Sequence, residues 1–360
     1  MKRYLYLDSI LLYFLGLIFT VQVDGQESFQ ALDNTIAPSP TASSLVKGVS
    51  TPVSFYTGIP SVEIPLFEMK GRKLNIPITL SYHASGVKVE DIAGWVGLGW
   101  ALNAGGVITR MVRGVPDDHA LGFLTIEGNQ IPKILKTPDE FGSWLPPGDD
   151  EDEQMLYLRN VGRNIRDGEP DIFHFKFNGR GGSFFFDVDG DIILQSKANL
   201  KITYKKNVNG KIDTWEIVDE GGTIYTFGTV MAVERTASVN DLGVNGEFHY
   251  SAWYLISIKS PNNEDSFWFD YQDYTKSIRS SLPQRKVSGN DPKWEDMFKY
   301  QSFVTEGKYL QRISWARGYI EFFVKSFFTY PGGEITGLSS INIYSPGSGV
   351  KIKSFKFDYS

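Results

Sequence analysis

Between Asp171 and Asp187 the chain alternates. Ile172, His174 and Lys176 fall on one parity and Phe173, Phe175 and Phe177 on the other, before Gly179-Arg180-Gly181-Gly182 leads into Phe184-Phe185-Phe186. A period of two is the mark of an extended strand with one buried face, because successive side chains point to opposite sides. With a glycine-rich break between the two runs, the segment reads as a β-hairpin. Helical spacing, with apolar residues three and four apart, is hard to find anywhere after the first 25 residues.

The same signal recurs along the chain. Ile64-Pro65-Leu66-Phe67 is followed by the alternating stretch Leu74 to Tyr82, and the prolines Pro65 and Pro77 cannot donate to a ladder, so these strands are expected to be edges or to carry their prolines where the amide would point outward. Leu200 to Tyr204 pairs naturally with Thr214 to Val218, and Gly221-Gly222 leads into Thr223-Ile224-Tyr225-Thr226-Phe227. In the last third a weak repeat appears: Leu255-Ile256-Ser257-Ile258, Leu310-Gln311-Arg312-Ile313 and Leu338-Ser339-Ser340-Ile341 share the pattern L-x-x-I. Each copy precedes a second alternating strand, marked by Phe267, Phe269 and Tyr271, by Ile320, Phe322 and Val324, and by Phe355, Phe357 and Tyr359. Three such hairpins in succession build a growing antiparallel sheet. Ser360 follows directly on such a strand, so an open sheet edge and further sequence are expected beyond it.

The expected fold class is therefore all-β, with antiparallel hairpins forming a sandwich or a partly wrapped β-shell. Aromatic residues at 14% of the chain, together with 36 glycines, fit strands joined by tight turns.

Residues 1–25 read as a secretory signal peptide: Lys2 and Arg3 supply the positive end, Ile10 to Val23 the apolar stretch, and Val23-Asp24-Gly25 the cleavage site. The apolar run is short for a bilayer span, so no membrane span is expected after cleavage, and the product is exported to the extracellular space or outer cell surface. The chain holds no cysteine, so its stability has to come from packing and strand pairing, and thiol catalysis and thiolate metal sites are excluded. The net charge of −6 is spread along the sequence with no basic stripe, which argues against nucleic acid as a partner.

Residues 26–51, rich in Ser, Thr, Pro and Ala, read as a flexible lead-in. Residues 52–115 form an N-terminal β region. Residues 116–167, where Pro146-Pro147-Gly148 meets the acidic run Asp149 to Glu153, read as a loop-rich insertion. Residues 168–360 form the hairpin region.

The most distinctive segment runs through Gly94, Trp95, Gly97, Gly99, Trp100, Asn103, Gly105, Gly106 and Arg110. It lacks the third glycine of a dinucleotide fingerprint and no Lys-Ser/Thr follows, so no nucleotide or other cofactor is expected; sharp bends over buried tryptophans explain it better. This run, G-W-V-G-L-G-W-x-L-N-x-G-G-x-I-x-R, resembles the signature near the start of secreted bacterial RHS/YD-repeat proteins. It is akin to the N-terminal region of Salmonella virulence plasmid protein B and of the B components of insecticidal toxin complexes. Pro38-Ser39-Pro40-Thr41-Ala42, Tyr56-Thr57-Gly58, Glu169-Pro170-Asp171-Ile172-Phe173 and Ser251-Ala252-Trp253-Tyr254-Leu255 agree with it. The resemblance implies an exported, non-enzymatic β-module that begins or caps a shell, with a downstream RHS/YD-repeat region or toxin-shell partner. The chain departs from that pattern by ending before a convincing YD repeat or toxin domain.

Little in the sequence advertises chemistry. The four histidines are scattered, and neither a zinc motif nor a nucleophile elbow occurs, so no catalytic residue is assigned. His83 beside Ser85 lacks an orienting carboxylate. Glu151-Asp152-Glu153 superficially matches the paired glutamates of ADP-ribosyltransferases but reads as a solvated loop. Asp187, Asp189 and Asp191 resemble the start of a calcium loop, yet its twelfth position is Ala198, and a hairpin turn is the simpler account. The aromatic content leaves surface glycans as the alternative partner, with cell-surface adhesion as the alternative function.

Overall fold

The structure, a computed structural model, describes residues 39, 41–42, 61–84, 91–125, 159–163, 167–239, 246–281, 300–330, 333–347 and 349–359. The predicted signal peptide and the acidic run lie outside these residues. Among them no helix is long and apolar enough to cross a membrane.

Antiparallel strands dominate. β1 (Ser61–Lys70), β2 (Asn75–His83) and β3 (Trp100–Asn103) form a three-stranded sheet. The others join one large sheet: β4 (Gly106–Met111), β5 (Ile172–Phe177), β6 (Arg180–Phe186), β7 (Ile192–Leu194), β8 (Lys201–Lys206), β9 (Ile212–Val218) and β10 (Ile224–Gly228) come first. β11 (Val233–Val239), β12 (His249–Lys259), β13 (Ser266–Ser281), β14 (Tyr300–Trp315), β15 (Gly318–Tyr330), β16 (Gly333–Tyr344) and β17 (Lys351–Lys356) follow.

The Asp171–Asp187 alternation becomes the hairpin β5–β6, with Phe173, Phe175, Phe177, Phe184 and Phe186 all buried. Its turn is Asn178-Gly179, both at positive φ, and Arg180-Gly181-Gly182 already belongs to β6. The expected turn position is thus corrected by two residues, because an Asn-Gly pair fits the left-handed dihedrals of a tight hairpin turn. This hairpin packs across β8 and β9 as a sandwich: the Trp215 ring lies 5.1 Å from Phe173 and from Phe184, 5.6 Å from Tyr204 and 5.7 Å from Trp253.

Pro77 takes the second of the two expected placements, since β2 lies between β1 and β3 and is not an edge strand. The physical reason survives: β3 pairs only with Thr79 to Tyr82, so no ladder partner faces Pro77 on that side. Pro65 is on the edge strand β1, next to a register shift.

The L-x-x-I repeat is structural. In a regular strand, residues three apart face opposite sides, yet the leucine and isoleucine of every copy are buried. A β-bulge resolves the conflict. Phe227 and Tyr225 of β10 face Leu255 and Ile258; Tyr271 and Phe269 of β13 face Leu310 and Ile313; Val324 and Phe322 of β15 face Leu338 and Ile341. Two residues on one strand span three on the other, and the extra residue is Ile256, Gln311 or Ser339, the second position of each copy. The isoleucine of each copy then pairs with an apolar residue of the next strand, as Ile258 with Phe267, Ile313 with Ile320 and Ile341 with Phe355.

The sheet also turns back on itself. β12 pairs with both β11 and β13, and β14 pairs with the same two strands, so these four form a closed circuit. β17 ends the meander, paired to β16 alone among the described residues, with Ile352 61% exposed.

Candidate functional site

The signature segment packs as a folded loop on the meander. Gly97 and Gly99 take positive φ, at 105° and 74°, which a residue with a Cβ rarely adopts. Between them the chain turns so that Trp95 is buried and stacks on Tyr309, ring centroids 5.5 Å apart. The bulge in β16 leaves the Leu338 amide off its ladder, and the Trp95 carbonyl accepts it at 2.7 Å. The Tyr359 hydroxyl donates to the Leu338 carbonyl at 2.8 Å, as Tyr271 does to Leu255 at 2.7 Å, so the bulged leucines of the first and third repeats are held alike. Trp100 begins β3 and meets Tyr82 at 5.1 Å, while the Asn103 amide donates to Thr79 at 3.2 Å and Ser81 at 3.0 Å. A Cβ on Gly106 would lie 2.7 Å from the Phe177 Cβ, so only glycine lets β4 approach β5 there; Gly105 lies over Phe269.

Arg110, the last residue of the signature, is fully buried. Its Nε donates to Asp171 at 2.6 Å and its Nη1 to Asp118 at 2.9 Å, while its guanidinium lies 5.4 Å from the Phe173 ring. Asp118 also accepts the Ile212 amide at 2.7 Å, and Asp171 accepts the amides of Arg113 and Asp117, both at 2.9 Å. One cation thus ties β4 and β5 to the start of β9 through a segment read as a surface insertion. Asp117, Asp118 and Phe123 of that segment are buried, although its described residues contain no strand.

The electrostatics follow from burial. Burial and the charge of Asp171 push the Asp117 carboxyl well above its ordinary value. Burial would raise Asp118 too, but the guanidinium and the Ile212 amide hold it below. Burial raises Asp167 to about 7, and burial with repulsion from Arg110 lowers His249 to about 4. These groups face one another inside packed protein, an arrangement that fastens the core.

The Asp187–Asp191 turn explains itself. The Asp187 carboxylate accepts the amides of Asp189 and Asp191, both at 2.9 Å, and Gly190 has φ 81°. The same turn is made at Asn207, whose side-chain oxygen accepts the amides of Asn209 and Lys211, and at Asp219, which accepts those of Gly221 and Thr223. Because asparagine makes the identical turn, the acid at 187 serves as an acceptor for its own backbone. Among the described residues no group of three His, Cys, Asp or Glu side chains is placed to hold a metal ion. His83 is exposed at the end of β2; Ser85 and Glu151 to Glu153 lie outside the described residues.

The sequence did not reveal Glu234. This β11 residue is fully buried beside the four-strand circuit and accepts hydrogen bonds from the Ser251 hydroxyl at 2.9 Å, the Tyr254 hydroxyl at 3.1 Å, the Ser39 amide at 2.9 Å and the Ser39 hydroxyl. Burial raises its carboxyl above the ordinary value against all four bonds. Ser39, Thr41 and Ala42 are buried, so these residues of the lead-in are docked and not flexible. Asp265 was missed as well: its carboxylate gathers the amides of Arg72, Lys73 and Leu74 at 2.6 to 2.9 Å, tying the β1–β2 turn to the β12–β13 connection.

By architecture this is an all-β chain of antiparallel hairpins joined in one large sheet. No protein-family description and no curated protein matches it. Among solved structures it is similar to the N-terminal domain of effector protein SpvB from Salmonella typhimurium strain LT2, over 84% of this chain and all of that one, at 11% identity and a TM-score of 0.34. A likeness of that size carries no statement about function.

Proposed function

We propose that the chain is an exported structural module, without chemistry of its own, that begins or caps the β-shell of an RHS/YD-repeat surface or toxin-type protein. The observation that carries this reading is the hairpin repeat itself. Each L-x-x-I copy is laid against an earlier strand and receives the strand after it, and the last strand, β17, offers a free edge among the described residues. Phe357 and Tyr359 follow β17 as Phe269 and Tyr271 occupy β13, so a further strand with its own bulged L-x-x-I matches this edge by the rule that β14 obeys on β13. Lys351, Lys353 and Lys356 flank the edge, which suits an edge kept from indiscriminate pairing.

Hydrogen exchange on the protein isolated from its native source tests this. Slow exchange of the Lys351–Lys356 amides on the edge away from β16 is expected; exchange there at the rate of an unpaired strand would refute the scaffold reading.

The glycan-binding alternative draws on the outer face of the meander. There Trp268 is 48% exposed and Tyr319 stacks on Tyr344 at 4.7 Å. Arg312 lies 4.0 Å over the Tyr319 ring and Lys259 5.1 Å over Trp268, so a sugar would first have to displace a cation from each. A glycan array without hits would remove this alternative.

A further inference from the structure

The docked lead-in points to a binding function that does not depend on the scaffold reading. Three features of the Ser39–Ala42 contact belong together. First, the strands that form the receptor pair without the occupant: β11, β12, β13 and β14 close their circuit through ladders in which Ser39, Thr41 and Ala42 take no part. Second, the occupant is recognised as a peptide is, by main chain and side chain at once. The Ser39 amide and hydroxyl both bond to Glu234, the Tyr274 hydroxyl donates to Ser39 Oγ at 3.4 Å, and Ala42 is fully buried against Val107, Ala232, Ala252 and Tyr254. Third, the contact adjoins a small cavity. Ser39 and Thr41 line it together with Trp95, Tyr274, Lys276 and Tyr309.

We propose that this groove is a peptide-binding site specific for a Ser-x-Thr-Ala segment, that Ser39–Ala42 is its resident self-ligand, and that the resident exchanges with the same sequence supplied in trans. Glu234 is the selective element, since a buried carboxylate is satisfied only by an occupant presenting a free amide and a hydroxyl at one residue. Ser251 and Tyr254 already occupy the remaining acceptor positions from the strand side.

The absence of cysteine makes the test clean, because a single introduced thiol is the only one in the full-length chain. Ala42→Cys in the groove is compared with Val208→Cys, at a fully exposed residue, by the rate of thiol labelling. Labelling of Cys at 42 is expected to be at least about 100-fold slower, and Thr41→Cys serves as a second reporter if the first variant fails to fold. A synthetic peptide spanning Ala37 to Lys47 is then added. A short tether holds its ligand at an effective concentration of about a millimolar, so the peptide at roughly 10 mM should bring labelling close to the exposed rate. The same peptide with Ser39→Ala should be about tenfold or more weaker, and Glu234→Gln should blunt the difference between the two peptides. Labelling at 42 as fast as at 208 without peptide overturns the docked state. Unchanged labelling at 10 mM peptide, or equal release by both peptides, overturns the exchangeable site.

Discussion

Replacing Arg110 with methionine tests the buried centre most directly. Methionine keeps much of the side-chain volume and can still lie against Phe173 and Trp253, so the change isolates the charge. Two carboxylates, Asp171 at 2.6 Å and Asp118 at 2.9 Å, lose the guanidinium they share, and both side chains are at most 1% exposed. Breaking a buried ion pair from one side costs about 3–5 kcal/mol. Against a total stability of about 5–15 kcal/mol that is a large fraction, equivalent to a fall in melting temperature of about 6–20 °C for a chain of this class. Unfolding in urea at pH 7.5, followed by tryptophan fluorescence, should report it, since Trp215 and Trp253 pack beside the centre. The deficit should shrink in acid as the stranded carboxylates take up protons, and the triple variant Arg110→Met, Asp118→Asn, Asp171→Asn should recover part of the loss. A cost below about 1 kcal/mol, independent of pH, would mean that these groups are already neutral and that the centre is not held by charge.

Three shorter expectations accompany it. Asp167, raised by burial to about 7, favours the folded state when protonated; its contribution is present below pH 4 and lost as pH climbs to 7. Asp167→Asn should therefore raise the melting temperature at pH 8 and change it little at pH 4, and the opposite ordering would contradict the burial account. Gly106→Ala should cost about 1–3 kcal/mol by overpacking against Phe177, read from the urea midpoint, and a neutral outcome would show that β4 can draw back from β5. Asp187→Asn should alter stability by less than about 0.5 kcal/mol, and millimolar calcium should leave the melting temperature of the parent chain unchanged; a calcium-dependent rise would restore a metal role to the turn.

The strand content was legible because period two is a local signal: the phenylalanines of β5 and β6 declare their buried face within six residues. The L-x-x-I repeat was legible as a pattern, but its meaning was not, since an odd spacing of buried residues becomes a bulge only when the register of the neighbouring strand is known. Arg110 was singled out with its signature, whereas Asp117, Asp118, Glu234 and Asp265 were passed over. A carboxylate in sequence looks solvated, and what buries these four lies far along the chain, 94 residues away for Asp118 and the Ile212 amide, 195 for Glu234 and Ser39. Ser39, Thr41 and Ala42 of the lead-in were misread for the same reason, because a Ser-Pro-Thr run has the composition of a linker whether or not a receptor awaits it.

The extra residue at the second position of each repeat carries a geometric consequence. A bulge bends its strand and sharpens the local right-handed twist. It falls at the same point of the repeat in β12, β14 and β16. Curvature is then a property of the unit, written into the two residues between a leucine and an isoleucine. A sheet extended by this rule takes its bend from its own sequence, one extra residue at a time.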